Sequence, residues 1–127
     1  MHLTLRMAAG LKPYYRAELH AARAAFARGE YRDSWQHLER AHVLGQPYPV
    51  PHTAVHWRML MFGIRVKNLR EIVGQLPRLF VGGVKSFVGH IPVGNTGGAN
   101  VPALQPMEIP ADLRRIIAAT SSRSTSA

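Results

Sequence analysis

The sequence predicts an all-α fold made of two antiparallel helical hairpins. Apolar residues recur every three or four positions in four long segments, which is the pattern of amphipathic helices. Turns that contain glycine or proline separate these segments and are short enough to place successive helices side by side. With 127 residues, the chain has the length of one domain. We therefore predict a single helical domain over residues 1–119 and a disordered Ser-rich tail over residues 120–127.

The first hairpin comprises two predicted helices, over residues 13–28 and 31–44. A proline suits the first turn of the first helix, and an apolar stripe follows it as far as Gly29. The stripe consists of Tyr15, Leu19, Ala22 and Phe26. Gly45 and Pro47 are expected to stop the second helix, because neither residue favours a helix interior.

Three short motifs of this hairpin resemble a tetratricopeptide unit: A-x-x-x-F at 22–26, G-x-Y at 29–31 and L-E-R-A at 38–41. The resemblance covers about residues 13–47 and implies tetratricopeptide-like packing of the two hairpins. It places small residues where two helices must approach closely, at Ala22, Ser34 and Ala41. Because two such units are fewer than a stable solenoid normally needs, we expect the C-terminal segment to cap them.

The second hairpin is predicted to contain a helix from about His52 to Lys67 and another that starts near Leu69. The apolar residues of both segments have helical spacing. Pro77 is expected to kink the later helix, because a proline inside a helix removes a hydrogen bond and crowds the preceding turn. Two consecutive glycines favour a break near residue 82.

The C-terminal part is predicted to be a Gly/Pro-rich loop followed by one short helix. Residues 91–110 read IPVGNTGGANVPALQPMEIP, which is typical of turns, and we expect this loop to pack back on the helices. The GNTGG sequence at 94–98 fits a tight turn, with a nest of backbone amides for an anion as the less typical alternative. Pro110 and Asp112 can begin a last helix, expected to end near Ala119.

The chain carries a formal charge of +9, from sixteen Lys and Arg against seven Asp and Glu. Most of the excess falls in the second half, where a solvated basic face is the simplest interpretation. The alternative is a tetratricopeptide-like interaction scaffold in which Arg58, Arg65 and Arg70 bind an acidic protein partner. Specific nucleic-acid binding is not expected, because no basic helix face is interleaved with stacking aromatic residues.

The sequence contains no signal for membrane insertion or export that we can identify. Its apolar runs fall well short of the ~20 residues that span a bilayer. The first sixteen residues lack the apolar core of an export signal. We therefore expect a cytoplasmic protein. The chain has no cysteine, which excludes disulfides.

Four longer motifs resemble those of a family of small bacterial proteins of unknown function. They are AHVLGQ at 41–46, VHWRML at 55–60 together with His52, PVGNTGGANV at 92–101 and PMEIPADL at 106–113. The resemblance extends over nearly all of residues 13–118. It implies no activity, so the function has to be argued from the residues themselves.

Histidines flank the turn between the two hairpins. His42 lies near the end of the second predicted helix, and His52 and His56 lie four residues apart at the start of the third, so antiparallel packing would bring the imidazoles together. Glu39 or His90 could complete a ligand set. Such a set fits one ion of zinc, copper, nickel or iron, with an affinity expected to fall as the pH drops through about 6.5. The alternative is a group of core histidines that are hydrogen-bonded to the backbone or to neighbouring side chains.

Few other residues could support chemistry at this cluster. Glu71 is not expected to reach it, because a helix rises 1.5 Å per residue and the third helix would place it roughly 20 Å away. No Ser-His-acid triad, pair of catalytic carboxylates or cysteine nucleophile can be assembled from the spacing of residues. The sequence therefore contains no complete catalytic signature and does not predict an enzyme.

Overall fold

The computed structural model describes residues 6–87, 95–99 and 106–124. It contains five helices, which are α1 (Lys12–Ala27), α2 (Tyr31–Gly45), α3 (Pro49–Arg65), α4 (Leu69–Phe87) and α5 (Ala111–Ser124). These residues contain no β-strand, so the predicted all-α class is confirmed. Helix α2 packs against both α1 and α3, α4 packs against α3, and α5 packs on α2.

The first hairpin is held by a close approach of α1 and α2. The short Ser34 side chain on α2 reaches the backbone of α1, where its hydroxyl donates a hydrogen bond to the Ala22 carbonyl oxygen at 2.7 Å. Ala22, Ser34 and Ala41 are all buried, as expected for small residues at a helix contact. The turn between the helices uses Gly29 at φ 75°, which glycine adopts without strain. The tetratricopeptide-like arrangement as a whole stays a prediction.

The second hairpin places α4 directly against α3. The Asn68 side chain accepts a hydrogen bond from the Glu71 backbone N–H at 3.2 Å and so caps the first turn of α4. The two helices approach closely beside Gly63, where an added Cβ would lie 3.2 Å from the Glu71 Cβ. Because α2 also packs on α3, the two hairpins form one continuous layer of helices.

Helix α5 is attached to the first hairpin by a buried leucine and an ionic network. Leu113 is fully buried within the core cluster. The Arg40 guanidinium donates to the Asp112 carboxylate at 2.5 Å and to the Glu18 carboxylate at 2.8 Å. One arginine therefore links α1, α2 and α5.

The bounds of both helices of the second hairpin differ from the predicted ones. Helix α3 begins at Pro49 rather than near His52, because Pro49 and Pro51 both fall in the first turn, where a backbone N–H is not needed. Helix α4 continues through Pro77 to Phe87, so the break expected near residue 82 does not occur. No helix in the described part of the chain is both long and apolar enough to cross a membrane.

The segment predicted to be a disordered tail begins as helix, since α5 continues to Ser124. The Thr120 hydroxyl donates to the carbonyl oxygens of Ile116 at 2.9 Å and Ile117 at 3.1 Å, so its polar atom is satisfied within the helix. Thr120 is also buried, and its methyl group lies beside Gly10. Helix α5 therefore includes residues that composition alone assigned to the tail. Residues 125–127 lie outside the described residues.

Candidate metal centre

Three imidazole rings meet where α2 packs against α3. His42 lies in the last turn of α2, while His52 and His56 lie one turn apart near the start of α3, and all three are buried. Their Nε2 atoms form a nearly equilateral triangle with sides of 2.9 Å, 3.0 Å and 3.0 Å. The predicted convergence of the three histidines is therefore confirmed.

Hydrogen bonds on the far side of two rings determine which nitrogen carries the proton. His42 Nδ1 lies 2.7 Å from the Asn95 carbonyl oxygen, which can only accept, so this Nδ1 is the donor. His56 Nδ1 lies 2.6 Å from the Gln75 side-chain oxygen. The Gln75 nitrogen donates to the Gly97 carbonyl oxygen at 2.8 Å, which fixes the orientation of the amide. His56 Nδ1 is therefore also a donor.

The consequence is that the Nε2 atoms of His42 and His56 both carry lone pairs and lie 3.0 Å apart. A hydrogen on His52 Nε2 could serve only one of them at a time. Burial, with a smaller contribution from neighbouring histidines, lowers the pKa of His42 well below its ordinary value and that of His52 to about 3. Burial also lowers the pKa of His56 to about 4. Protonation therefore does not relieve the contact near neutral pH.

A short loop, Asn95–Ala99, covers the cluster and is named the covering loop below. Gly97 lies flat against the His42 ring, where an added Cβ would be 2.5 Å from the ring carbon Cδ2. Its φ of 86° also favours glycine. The Asn95 side chain accepts the Gly97 backbone N–H at 2.8 Å and so forms the tight turn. The described part of GNTGG thus packs on an imidazole ring.

A polar chain behind His56 was not anticipated from the sequence. The fully buried Gln75 accepts from His56 and donates to a carboxylate oxygen of Glu71 at 3.0 Å. The other Glu71 oxygen accepts the Ala99 backbone N–H at 2.7 Å. Glu71 is not among the residues whose potential ligand atoms converge in the described part of the chain. The predicted separation of roughly 20 Å is nevertheless wrong, because two hydrogen bonds connect Glu71 to His56. A buried glutamine and glutamate four residues apart on α4 were the available signal.

Glu39 and His90 were proposed to complete the ligand set, and only Glu39 lies among the described residues. In the described part of the chain, the three histidines alone have potential ligand atoms within 4.8 Å of one another, and Glu39 is not in this set. Glu39 is half-buried, and burial raises its pKa, while the neighbouring Thr96 hydroxyl lowers it. That buried hydroxyl oxygen has no hydrogen bond of good geometry to any described residue. His90 lies outside the described residues.

Comparison with known proteins gives a family without an activity. No curated protein and no solved structure matches the chain. A family described as "Protein of unknown function (DUF3703)" matches residues 9–117, a range that includes α1 to α4, the covering loop and the three clustered histidines. The chain therefore belongs to the DUF3703 family.

Proposed function

We propose that this protein binds one transition-metal ion through the Nε2 atoms of His42, His52 and His56. The observation that supports the proposal is the pair of lone pairs on His42 and His56, which face each other at 3.0 Å in a buried site. A hydrogen on His52 Nε2 can serve only one of these two acceptors. A buried acceptor without a donor is costly, and a shared cation gives every nitrogen a partner. The rings are neutral at pH 7, which is the form that binds metals.

The size of the nitrogen triangle suits such an ion. With sides of 2.9–3.0 Å, its centre lies about 1.7 Å from each nitrogen. This value is close to the usual metal–nitrogen distance of about 2.0–2.1 Å, so the three histidines could hold an ion with little movement. Tetrahedral angles need the nitrogens to spread to about 3.3 Å, which is a small movement. Zinc, copper, nickel and iron all accept imidazole, and a position on the metal stays open for a further ligand.

The Nδ1 contacts support the same function. Metal-binding histidines usually donate their second N–H to a carbonyl or carboxyl oxygen, which fixes the ring and strengthens the donor nitrogen. His42 does so to the Asn95 carbonyl and His56 to the Gln75 amide. The three ligands come from two different hairpins, so a bound ion would also hold α2 against α3.

The test is metal stoichiometry in protein purified without a polyhistidine tag. After incubation with each of the four ions and gel filtration, elemental analysis should give one ion per chain for at least one metal. His42→Ala should lose the ion, whereas His20→Ala, which removes an exposed histidine on α1, should keep it. His52→Gln is the second variant, used if circular dichroism shows that His42→Ala has lost helix. A wild-type ratio near zero for all four ions, or equal ratios in wild type and a folded cluster variant, would overturn the proposal.

A groove lined by none of the three histidines favours a second function, the binding of an acidic protein segment. It has a volume of about 790 Å³ and lies between α1 and α3 with α2 as its floor. Arg23, Arg58 and Arg65 line it, and no acidic residue does so in the described part of the chain. Its apolar surface includes Phe26 and the exposed Trp57. An acidic segment with apolar anchors is complementary to this lining.

The second function is tested with a fluorescent peptide of alternating Asp and Leu, compared with one of alternating Lys and Leu. Only the acidic peptide should bind, and the triple substitution of Arg23, Arg58 and Arg65 by Gln should abolish binding. A control with the same charge replaces Arg16, Arg70 and Arg115, which are exposed and outside the groove. Arg70, predicted to take part, lies on α4 and does not line the groove. Equal binding by the two triple variants would exclude the groove as the site.

A further inference from the structure

The buried carboxylate of Glu71 accepts hydrogen bonds from two groups that lie in different parts of the site. One oxygen accepts the Gln75 side-chain N–H at 3.0 Å, and the other accepts the Ala99 backbone N–H of the covering loop at 2.7 Å. Only 8% of the residue is exposed. Burying a carboxylate is expensive unless its oxygens are hydrogen-bonded, so both contacts are required for this arrangement.

The hydrogen bond between Glu71 and Gln75 determines which atom of the Gln75 amide faces His56. Both hydrogens of the Gln75 amide are used, one by Glu71 and one by the Gly97 carbonyl oxygen, so the amide oxygen is the atom that faces His56 Nδ1. A reversed amide would present N–H to Nδ1 and would favour the tautomer with hydrogen on Nε2. That tautomer cannot bind a metal through Nε2. Glu71 therefore favours the form of His56 that leaves Nε2 free.

The contact with Ala99 holds the covering loop in place. The loop also accepts from His42 through the Asn95 carbonyl oxygen and from Gln75 through the Gly97 carbonyl oxygen. Ala99 packs closely on Gly74, which has no side chain to keep it away. One carboxylate thus joins the loop to the histidine cluster.

We propose that Glu71 is a positioning residue of the metal site, which acts on His56 through Gln75 and on the covering loop through Ala99. The inference rests on the proposed function, because it concerns how tightly that site holds its ion. Groups that orient metal-binding histidines typically change metal affinity 10–100-fold when they are removed. A loosened loop would also let the ion leave faster, since the loop covers the His42 ring.

The test compares Glu71→Gln with Glu108→Gln, an equal change of charge at an exposed side chain. A glutamine at position 71 keeps the size of the side chain but offers one oxygen and one NH₂ to two N–H donors, so one contact must fail. Glu71→Gln should still bind one ion at saturation, with a dissociation constant roughly 10–100-fold weaker and a faster transfer of the ion to excess chelator. Glu108→Gln should behave as wild type.

A second measurement needs no metal. Hydrogen exchange of the backbone amides of residues 97–99 should be faster in metal-free Glu71→Gln than in metal-free wild type, because the Ala99 N–H loses its acceptor. If Glu71→Gln does not fold, Gln75→Met serves instead, since it removes the contact to His56 and keeps a helix-forming side chain of similar length.

The outcomes separate this inference from the proposed function. If wild-type protein binds no ion, the metal site itself is refuted and this inference with it. If wild type binds one ion and folded Glu71→Gln binds it within twofold as tightly, with unchanged release and exchange, the site stands and the role of Glu71 is refuted. Weaker binding and faster exchange in Glu71→Gln alone support the role.

Discussion

Acidification should destabilise the metal-free protein steeply because three neutral histidines are buried together. The unfolded chain takes up a proton on each of them near pH 6.5, the ordinary value. In the folded protein, burial lowers the pKa of His52 to about 3 and that of His56 to about 4, and lowers that of His42 well below its ordinary value. Between these limits the unfolded state binds more protons, so the free energy of unfolding falls as the pH falls.

The size of the effect follows from the width of that window. Each histidine contributes about 1.4 kcal/mol for each pH unit once the unfolded form is protonated and the folded form is not. From pH 7 to pH 5 this amounts to about 2 kcal/mol for each, and about 6 kcal/mol for the cluster. Burial raises the pKa of Glu39, so the folded state takes up its proton more readily as the pH falls, and this offsets a part of the lost stability. Because domains are typically stable by only 5–15 kcal/mol, the metal-free protein should be close to unfolding at pH 5.

The assay is urea unfolding at several pH values with chelator present, followed by the fluorescence of the two tryptophans. His20→Ala should show the wild-type slope against pH, because His20 is exposed. His56→Gln should show a shallower slope, because one buried histidine is missing. A free energy of unfolding that changes by less than about 1 kcal/mol between pH 7 and pH 5 would contradict the argument. It would mean that the cluster is charged or open in the folded protein.

Three other changes have expected outcomes that unfolding experiments can check. Gly97→Ala should cost about 3 kcal/mol or more, because its Cβ would meet the His42 ring at 2.5 Å, whereas Gly29→Ala, with a similar positive φ and open space, should cost only about 1 kcal/mol. Equal costs would show that the covering loop does not press on the ring. Ser34→Ala should cost about 1 kcal/mol through loss of the buried bond to the Ala22 carbonyl, and no loss would mean that this bond is compensated. An ion at 100 times its dissociation constant should stabilise wild type by about 2.7 kcal/mol and should leave His42→Ala unchanged.

The positions of the helices could be predicted because they depend on local information. Helical spacing of apolar residues and the glycines and prolines between them determine where α1 to α4 lie. The residues at which the helices begin and end were less predictable. Helix α3 begins at Pro49, with two prolines in its first turn, and α5 continues to Ser124, with Thr120 buried near Gly10. That second contact joins distant parts of the chain, which periodicity does not reveal.

The meeting of the three histidines could also be predicted, since a short turn between antiparallel helices leaves little freedom in which residues are neighbours. The groups that fix the tautomers of these histidines could not be predicted. Asn95 acts through its backbone carbonyl and Gly97 through its carbonyl and its lack of a side chain, so neither has a chemical signature in the sequence. The pH at which metal binding should weaken is also lower than the sequence predicted. Buried rings stay neutral far below the 6.5 expected for exposed ones, so proton competition begins only near the unfolding pH.

Glu71 illustrates why distance along a helix is a poor guide to coupling between residues. A rise of 1.5 Å per residue predicted that Glu71 would lie roughly 20 Å from the cluster. That separation is wrong, because α4 returns antiparallel to α3 and places Gln75, one turn later, beside His56. A glutamine side chain then bridges the remaining space, with its oxygen on the histidine and its nitrogen on the carboxylate. The carboxylate charge thus reaches the cluster through an amide rather than by contact. A positive ion in the cluster would favour this orientation of the amide dipole, so metal binding and the Glu71–Ala99 contact should strengthen each other.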